Sequence, residues 1–122
     1  MTIFLALLPF SFIAPQTDAA PTLDNCALHM SENDSIVTIQ GVVNPNDWSQ
    51  GSYQMQIEAR QGGNQSLSRQ AGNFDQSNIR ADDGSLVLST ATLYVSDGGS
   101  LFVTLTVEDE DRNVSCSFDY ER

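Results

Sequence analysis

Residues 53–60 read YQMQIEAR, and apolar and polar side chains alternate at every position of this segment. Alternation with a period of two places all the apolar side chains on one face of an extended chain. The apolar face carries Tyr53, Met55, Ile57 and Ala59, and the polar face carries Gln54, Gln56, Glu58 and Arg60. The segment therefore predicts a strand that packs on a core through one face and meets solvent through the other.

Six further segments have the composition of strands, and none shows the 3.6-residue apolar period of a helix. Turn sequences rich in Gly, Pro, Asn and Asp separate them about every ten residues. These six are residues 26–30, 36–43, 65–74, 86–95, 101–108 and 114–120. Together with residues 53–60 they predict an all-β fold, a seven-stranded immunoglobulin-like antiparallel β-sandwich.

The chain has two cysteines, Cys26 in the first predicted strand and Cys116 in the last. We expect a disulfide between these two strands, whereas the disulfide of antibody domains joins the second and sixth strands. Two free buried cysteines are the alternative. A bridge closing a loop of about 90 residues is worth roughly 4–5 kcal/mol in the chain-entropy model.

Residues 1–20 differ in composition from the rest of the chain. Residues 3–13 are almost all apolar, and small residues follow at Ala19 and Ala20. This apolar run is shorter than the roughly 20 residues that span a bilayer, and it resembles the core of a secretory signal. We predict a signal peptide at residues 1–20 and one domain at residues 21–122; a buried first strand or a membrane-anchoring segment is the alternative.

The charge and the residue types exclude several function classes. The chain has 16 acidic residues against five arginines and no lysine, a net charge of −11. Removal of Asp18 with the signal leaves −10, a charge that opposes binding to nucleic acids and to anionic membranes. One histidine, His29, and two distant cysteines provide neither a nucleophile motif nor a zinc site. We therefore predict that the protein is not an enzyme and needs no cofactor or metal.

The acidic turn at residues 108–111 is the strongest metal candidate, because calcium binds several carboxylates from one loop. A solvated hairpin tip is the simpler interpretation, since the spacing of an EF-hand is absent. A calcium site here would suit an extracellular adhesion or carbohydrate-binding sandwich. We keep that module as the alternative function, and it predicts a melting temperature that depends on calcium.

The segment at residues 65–74 is strand-like but too polar for the centre of a sheet. It suits an edge strand, whose unpaired backbone groups can bind another extended chain. An ordinary edge protected by Arg69 and by a bulge or bend at Gly72 is the alternative. The candidate binding residues are Gln65, Ser66, Ser68, Arg69 and Gln70, with Gln54 and Gln56 on the neighbouring strand.

Short motifs along the chain resemble the CsgH family, which is related to the curli protein CsgC. They are Gly51-x-Tyr53-x-Met55-x-Ile57, Gly62-Gly63-x-x-Ser66, Gln70-x-Gly72-x-Phe74, the apolar residues 86–93, Val103-x-Leu105 and Cys116. The Cys-x-Cys element of CsgC is absent, so a redox activity is not supported.

The resemblance implies a small periplasmic chaperone of a curli-producing Gram-negative bacterium. Its partners would be CsgA-like curli subunits, which are rich in Gln, Asn and Gly, and it would keep them from polymerising before export. Binding would be transient and independent of ATP, and the high net charge favours a monomer. No family binding motif transfers by position, so the resemblance assigns no binding role to any single residue.

Overall fold

The computed structural model of the protein describes residues 26–122, so the predicted signal peptide at residues 1–20 lies outside the described range. Seven strands occur in this range, which confirms the predicted all-β fold. No helix in residues 26–122 has the length and apolarity that crossing a bilayer requires. The strands are β1 (Ala27–Asn33), β2 (Ile36–Val43), β3 (Gln50–Gln61), β4 (Asn64–Asp75), β5 (Leu86–Tyr94), β6 (Ser100–Glu108) and β7 (Asn113–Glu121).

The strands form two antiparallel sheets, as the sandwich prediction requires. The smaller sheet has the order β1-β2-β5, and the larger sheet has the order β4-β3-β6-β7. In an immunoglobulin constant domain the fourth strand pairs with the fifth, in the sheet that also contains the first and second strands. Here β4 pairs with β3 instead, so β4 and β7 are the two edges of the larger sheet.

The core lies between the sheets and consists of the alternate side chains that face inward. Met55 and Ile57 of β3 are buried against Leu105 of β6 and Ile39 of β2, as the period-two pattern predicts. Gly41 of β2 also faces inward, where a Cβ atom would lie only 3.0 Å from Leu105 Cδ2. The two sheets approach closely at this position because glycine has no side chain.

The predicted disulfide between Cys26 and Cys116 is confirmed, with a Cα–Cα distance of 6.1 Å. Cys116 lies in β7, and Cys26 lies one residue before β1, outside the strand that was predicted to contain it. Because β1 and β7 belong to different sheets, the bond joins the two layers along one side of the sandwich.

Two polar contacts join the layers on that same side. The Tyr120 hydroxyl donates a hydrogen bond to the Glu32 carboxylate at the far end of β1. Arg122 Nη1 donates to the backbone oxygen of Asp34 at 2.6 Å, in the turn between β1 and β2. The β1/β7 side is therefore joined at three levels along its length.

One end of the sandwich is closed by Trp48, a residue that the sequence analysis did not assign. Trp48 is only 1% exposed, and its ring meets the Phe74 ring edge-on with centroids 6.2 Å apart. The Arg112 guanidinium lies 3.7 Å from the indole centroid, a cation–π geometry. Arg112 also donates to the backbone oxygen of Asp47, so the β6–β7 turn is attached to the segment before β3.

The predicted bulge at Gly72 is wrong. The β3–β4 register continues without a shift from Gln50 opposite Asp75 to Gln61 opposite Asn64. Gly72 lies directly opposite Tyr53, and a Cβ atom there would be 3.1 Å from the Tyr53 hydroxyl oxygen. Glycine at this position leaves room for the tyrosine ring across the strand pair.

Candidate functional site: the edge of strand β4

The turn between β3 and β4 determines which backbone groups of β4 face away from the sheet. Gly62 and Gly63, with φ of 57° and 86°, form a two-residue turn between the paired residues Gln61 and Asn64. Such a turn closes on a hydrogen-bonded pair, and bonded and non-bonded pairs alternate from there along the hairpin. Every second residue after Asn64, beginning with Gln65, therefore directs its N–H and C=O away from β3.

The open part of this edge runs from Asn64 to Arg69. All six of these residues are exposed. The outward N–H and C=O groups belong to Gln65, Leu67 and Arg69, and no other strand of residues 26–122 pairs with them. At the other end of β4 the edge is covered, because the outward backbone groups of Asp75 hydrogen-bond to Asn78.

Gln70, the next residue of β4, is half-buried. Ser89 of β5 is buried, and its hydroxyl donates a hydrogen bond to Gln70 Oε1 across the two sheets. Gln70 is one of the predicted binding residues, and its side-chain oxygen makes this contact between the two sheets. Beyond Gln70, β4 comes close to β5, although Ala71 and Asn73 remain exposed.

The other predicted binding residues divide between the two faces of the larger sheet. Gln65 and Arg69 share the outer face with Gln54 and Gln56, and Arg69 Nε donates to Gln56 Oε1 at 3.0 Å. Ser66 and Ser68 point towards the inner side but remain exposed. The structure thus brings four of the seven predicted residues onto the outer face of the larger sheet. The two serines lie on its inner face, at the same edge.

Leu67 and Phe102 form an exposed apolar pair that the sequence analysis did not predict. Both face outward from the larger sheet and lie on either side of Glu58 in one row across the strands. Leu67 is 52% exposed and Phe102 is 42% exposed. The Glu58 carboxylate accepts hydrogen bonds from Gln65 Nε2 at 2.6 Å and from Arg60 Nη2 at 3.0 Å. The negative charge of Glu58 is therefore balanced by Arg60 on the same strand.

The two edges of the larger sheet carry different charges. No acidic residue occurs between Glu58 and Asp75, although Arg60 and Arg69 lie in this interval. On β7 the same alternation turns the backbone groups of Asp119 and Glu121 outward, together with those of Ser115 and Ser117. Charged side chains on an edge discourage pairing with another strand. The β7 edge has two carboxylates for this purpose, and the open part of β4 has none.

Two of the four carboxylates of the predicted acidic turn, those of Glu108 and Asp109, accept hydrogen bonds from the turn and the residues that follow it. Asp109 Oδ1 accepts the N–H of Asp111 at 2.8 Å and that of Arg112 at 3.0 Å, and these bonds lower the pKa of Asp109. Glu108 accepts a hydrogen bond from Asn113. Within residues 26–122 no three His, Cys, Asp or Glu side chains lie together as a metal site requires.

The lowered pKa values of three surface carboxyl groups predict that the fold weakens in acid. A hydrogen bond from the Ser77 hydroxyl lowers the pKa of Asp75, and the N–H groups of Ser85 and Asp111 lower the pKa of Asp83 and Asp109. A pKa lowered by folding adds stability above the unfolded value of about 3.9 and loses it as pH falls further. The urea midpoint is therefore expected to be lower at about pH 3 than at about pH 6.

Two variants test the contribution of the Asp109 carboxylate to this pH dependence. Asp109→Asn should lose less stability than the wild type between the two pH values, because the titrating group is gone. Asp111→Asn removes the same charge from the same turn and is the control for the loss of that charge alone. Equal pH dependence in Asp109→Asn and the wild type would contradict the role of this carboxylate.

Comparisons with known proteins place these observations in a family context. The family model described as CsgH protein matches residues 25–119. The fold is similar to the solution structure of R. palustris CsgH, at 20% identity and a TM-score of 0.61, covering 78% of this chain and 90% of that one. It is also similar to the E. coli curli protein CsgC, at 15% identity and a TM-score of 0.59, covering 77% and 96%. No curated protein matches the chain.

Proposed function

The chain belongs to the CsgH family, and on that premise we propose that it is a periplasmic chaperone that delays the amyloid polymerisation of curli subunits. The similar E. coli protein CsgC is described as a curli protein, which supports curli subunits as the partner. The Cys26–Cys116 disulfide suits an oxidising compartment such as the periplasm.

The observation that carries this proposal is the open edge of β4, Asn64–Arg69. Amyloid subunits assemble by adding extended strands whose backbone groups pair along the sheet edge. An edge with unpaired N–H and C=O groups binds such a strand through the same hydrogen bonds. The side chains of Gln54, Gln56, Gln65 and Arg69 offer further polar contacts on the outer face.

The net charge explains how the protein avoids joining the fibril. Sixteen acidic residues against five arginines give a charge of −11 over the whole chain. Identical copies stacked at the cross-β spacing of about 4.8 Å would bring these like charges together. Repulsion of this kind favours a soluble monomer that binds its client transiently.

A fibrillation assay tests the proposed function. Purified protein added to a polymerising curli subunit, in large molar deficit, should lengthen the lag before thioflavin fluorescence rises. An acidic immunoglobulin-like domain from outside the family is the control and should leave the lag unchanged. An unchanged lag with the protein itself would contradict the proposal.

The alternative of a calcium-dependent adhesion module receives no support from the geometry of the acidic turn. Asp109 Oδ1 already accepts two backbone N–H groups, and Oδ2 lies 3.6 Å from Arg112 Nε. The same preparation separates the two functions, because the adhesion module requires a calcium-dependent melting temperature and the chaperone does not.

A further inference from the structure

We propose that this protein acts as a one-sided cap: β4 pairs with the terminal strand of a growing amyloid sheet, and β7 accepts no further strand. This inference rests on the proposed function and adds to it a docking segment, a partner conformation and a mode of inhibition. The docking segment is Asn64–Arg69, and the partner is an extended polar chain segment.

The length of the open edge matches the length of an amyloid-forming segment. The fully exposed segment begins after the Gly62-Gly63 turn and extends to Arg69, and the half-buried Gln70, which contacts Ser89, follows it. Six residues of strand extend over about 20 Å. Segments of six or seven residues are the units from which cross-β interfaces are built. Three outward N–H and three outward C=O groups, from Gln65, Leu67 and Arg69, are available for this pairing.

The side chains along the edge select the chemistry of the partner. Gln65, Leu67 and Arg69 lie on the outer face, and Ser66 and Ser68 lie on the other. Glutamine side chains stack in ladders along paired strands, so a segment rich in Gln and Asn suits this edge. A basic residue opposite Arg69 is disfavoured by charge, and a proline lacks the N–H that pairing requires.

The opposite edge of the same sheet is protected. Asp119 and Glu121 place two carboxylates at the C-terminal end of β7, so an added strand would meet negative charge there. β7 is also joined to the start and end of β1 by Cys26–Cys116 and by Tyr120–Glu32. A sheet that ends on this protein therefore has no edge from which growth continues.

A cap of this kind acts at the ends of assemblies rather than on free subunits. Because ends are few compared with subunits, the protein should slow growth when it is far less abundant than the subunit. Sequestration of subunits would instead require comparable concentrations of both proteins. Seeded elongation distinguishes the two modes, because the number of ends is set by the amount of seed.

The decisive variant is Leu67→Pro, with Ser117→Pro as the matched control. Proline at position 67 removes an outward N–H and leaves the bonds to β3 intact. Proline at position 117 makes the same change on β7. In seeded elongation of a curli subunit we expect Leu67→Pro to need about tenfold more protein for half inhibition, and Ser117→Pro to match the wild type within about twofold.

Melting temperatures of both variants show whether each is folded, and Leu67→Lys provides a second test that retains the N–H and adds a charge to the edge. Loss of inhibition in folded Leu67→Lys and retention in Ser117→Pro support the cap. Equal inhibition by the wild type and both position-67 variants would overturn the cap and leave the chaperone function standing. An equal loss of inhibition in Ser117→Pro would also overturn the cap. So would a wild-type dimer, observed by sedimentation, that Leu67→Pro abolishes. No inhibition by the wild type would contradict the proposed function itself.

Discussion

Replacing Cys26 and Cys116 together by alanine is expected to lower the free energy of unfolding by about 4–5 kcal/mol. The bond joins residues 90 positions apart, so its removal releases a long loop in the unfolded chain. A domain of this size has a total stability of about 5–15 kcal/mol. The variant should therefore unfold at a much lower urea concentration.

Urea unfolding of the wild type with and without a reductant is the internal control for this variant. Reduced wild type should unfold at nearly the same urea concentration as the double variant, and reductant should not affect the variant. A loss below about 1 kcal/mol would contradict a main role for the bond in stability.

Trp48→Ala is expected to cost about 3–5 kcal/mol, the usual range for removing a buried aromatic side chain. Trp48 is 1% exposed and lies between Phe74 and the guanidinium of Arg112. Its removal would leave a cavity and would separate the β6–β7 turn from the segment before β3. Urea unfolding measures the loss directly.

Tyr94→Ala is the control for Trp48→Ala, because Tyr94 is also aromatic but is 60% exposed on the smaller sheet. Its truncation should change stability by less than about 0.5 kcal/mol. Similar losses at positions 48 and 94 would show that Trp48 does not close the end of the sandwich as described.

The strands were predictable because each carries a local signal. Residues 53–60 alternate strictly, and β3 contains this segment with Met55 and Ile57 buried. The two cysteines, one at each end of the domain, also predicted the observed bond. In both cases the information lies in residue types and spacing, which do not depend on how the strands are arranged in space.

The arrangement of β4 was predictable only in part. The two-residue Gly62-Gly63 turn is a local signal for its pairing with β3, but the continuous register at Gly72 involves the contact between Gly72 and Tyr53 across the two strands. The role of Trp48 depends on Arg112, which lies far away in the sequence. Packing between distant segments leaves no periodic pattern in the sequence, so these features appear only in the folded chain.

The candidate site was predictable in part. The polar composition of β4 correctly indicated an edge strand, but composition alone did not show which side chains share a face. The β3–β4 register places Gln65 and Arg69 beside Gln56 on the outer face, and Gln70 faces the other sheet, where its side chain contacts Ser89. The exposed Leu67 was missed because one apolar residue in a polar segment is an ambiguous signal.

Hydrogen exchange of the backbone amides of this protein, followed by NMR in the presence of a curli subunit, tests the central idea most directly. The account predicts slower exchange at Gln65, Leu67 and Arg69 when the subunit is added, and unchanged exchange at Ser115 and Ser117. Slowed exchange along β7, with no change along β4, would contradict it.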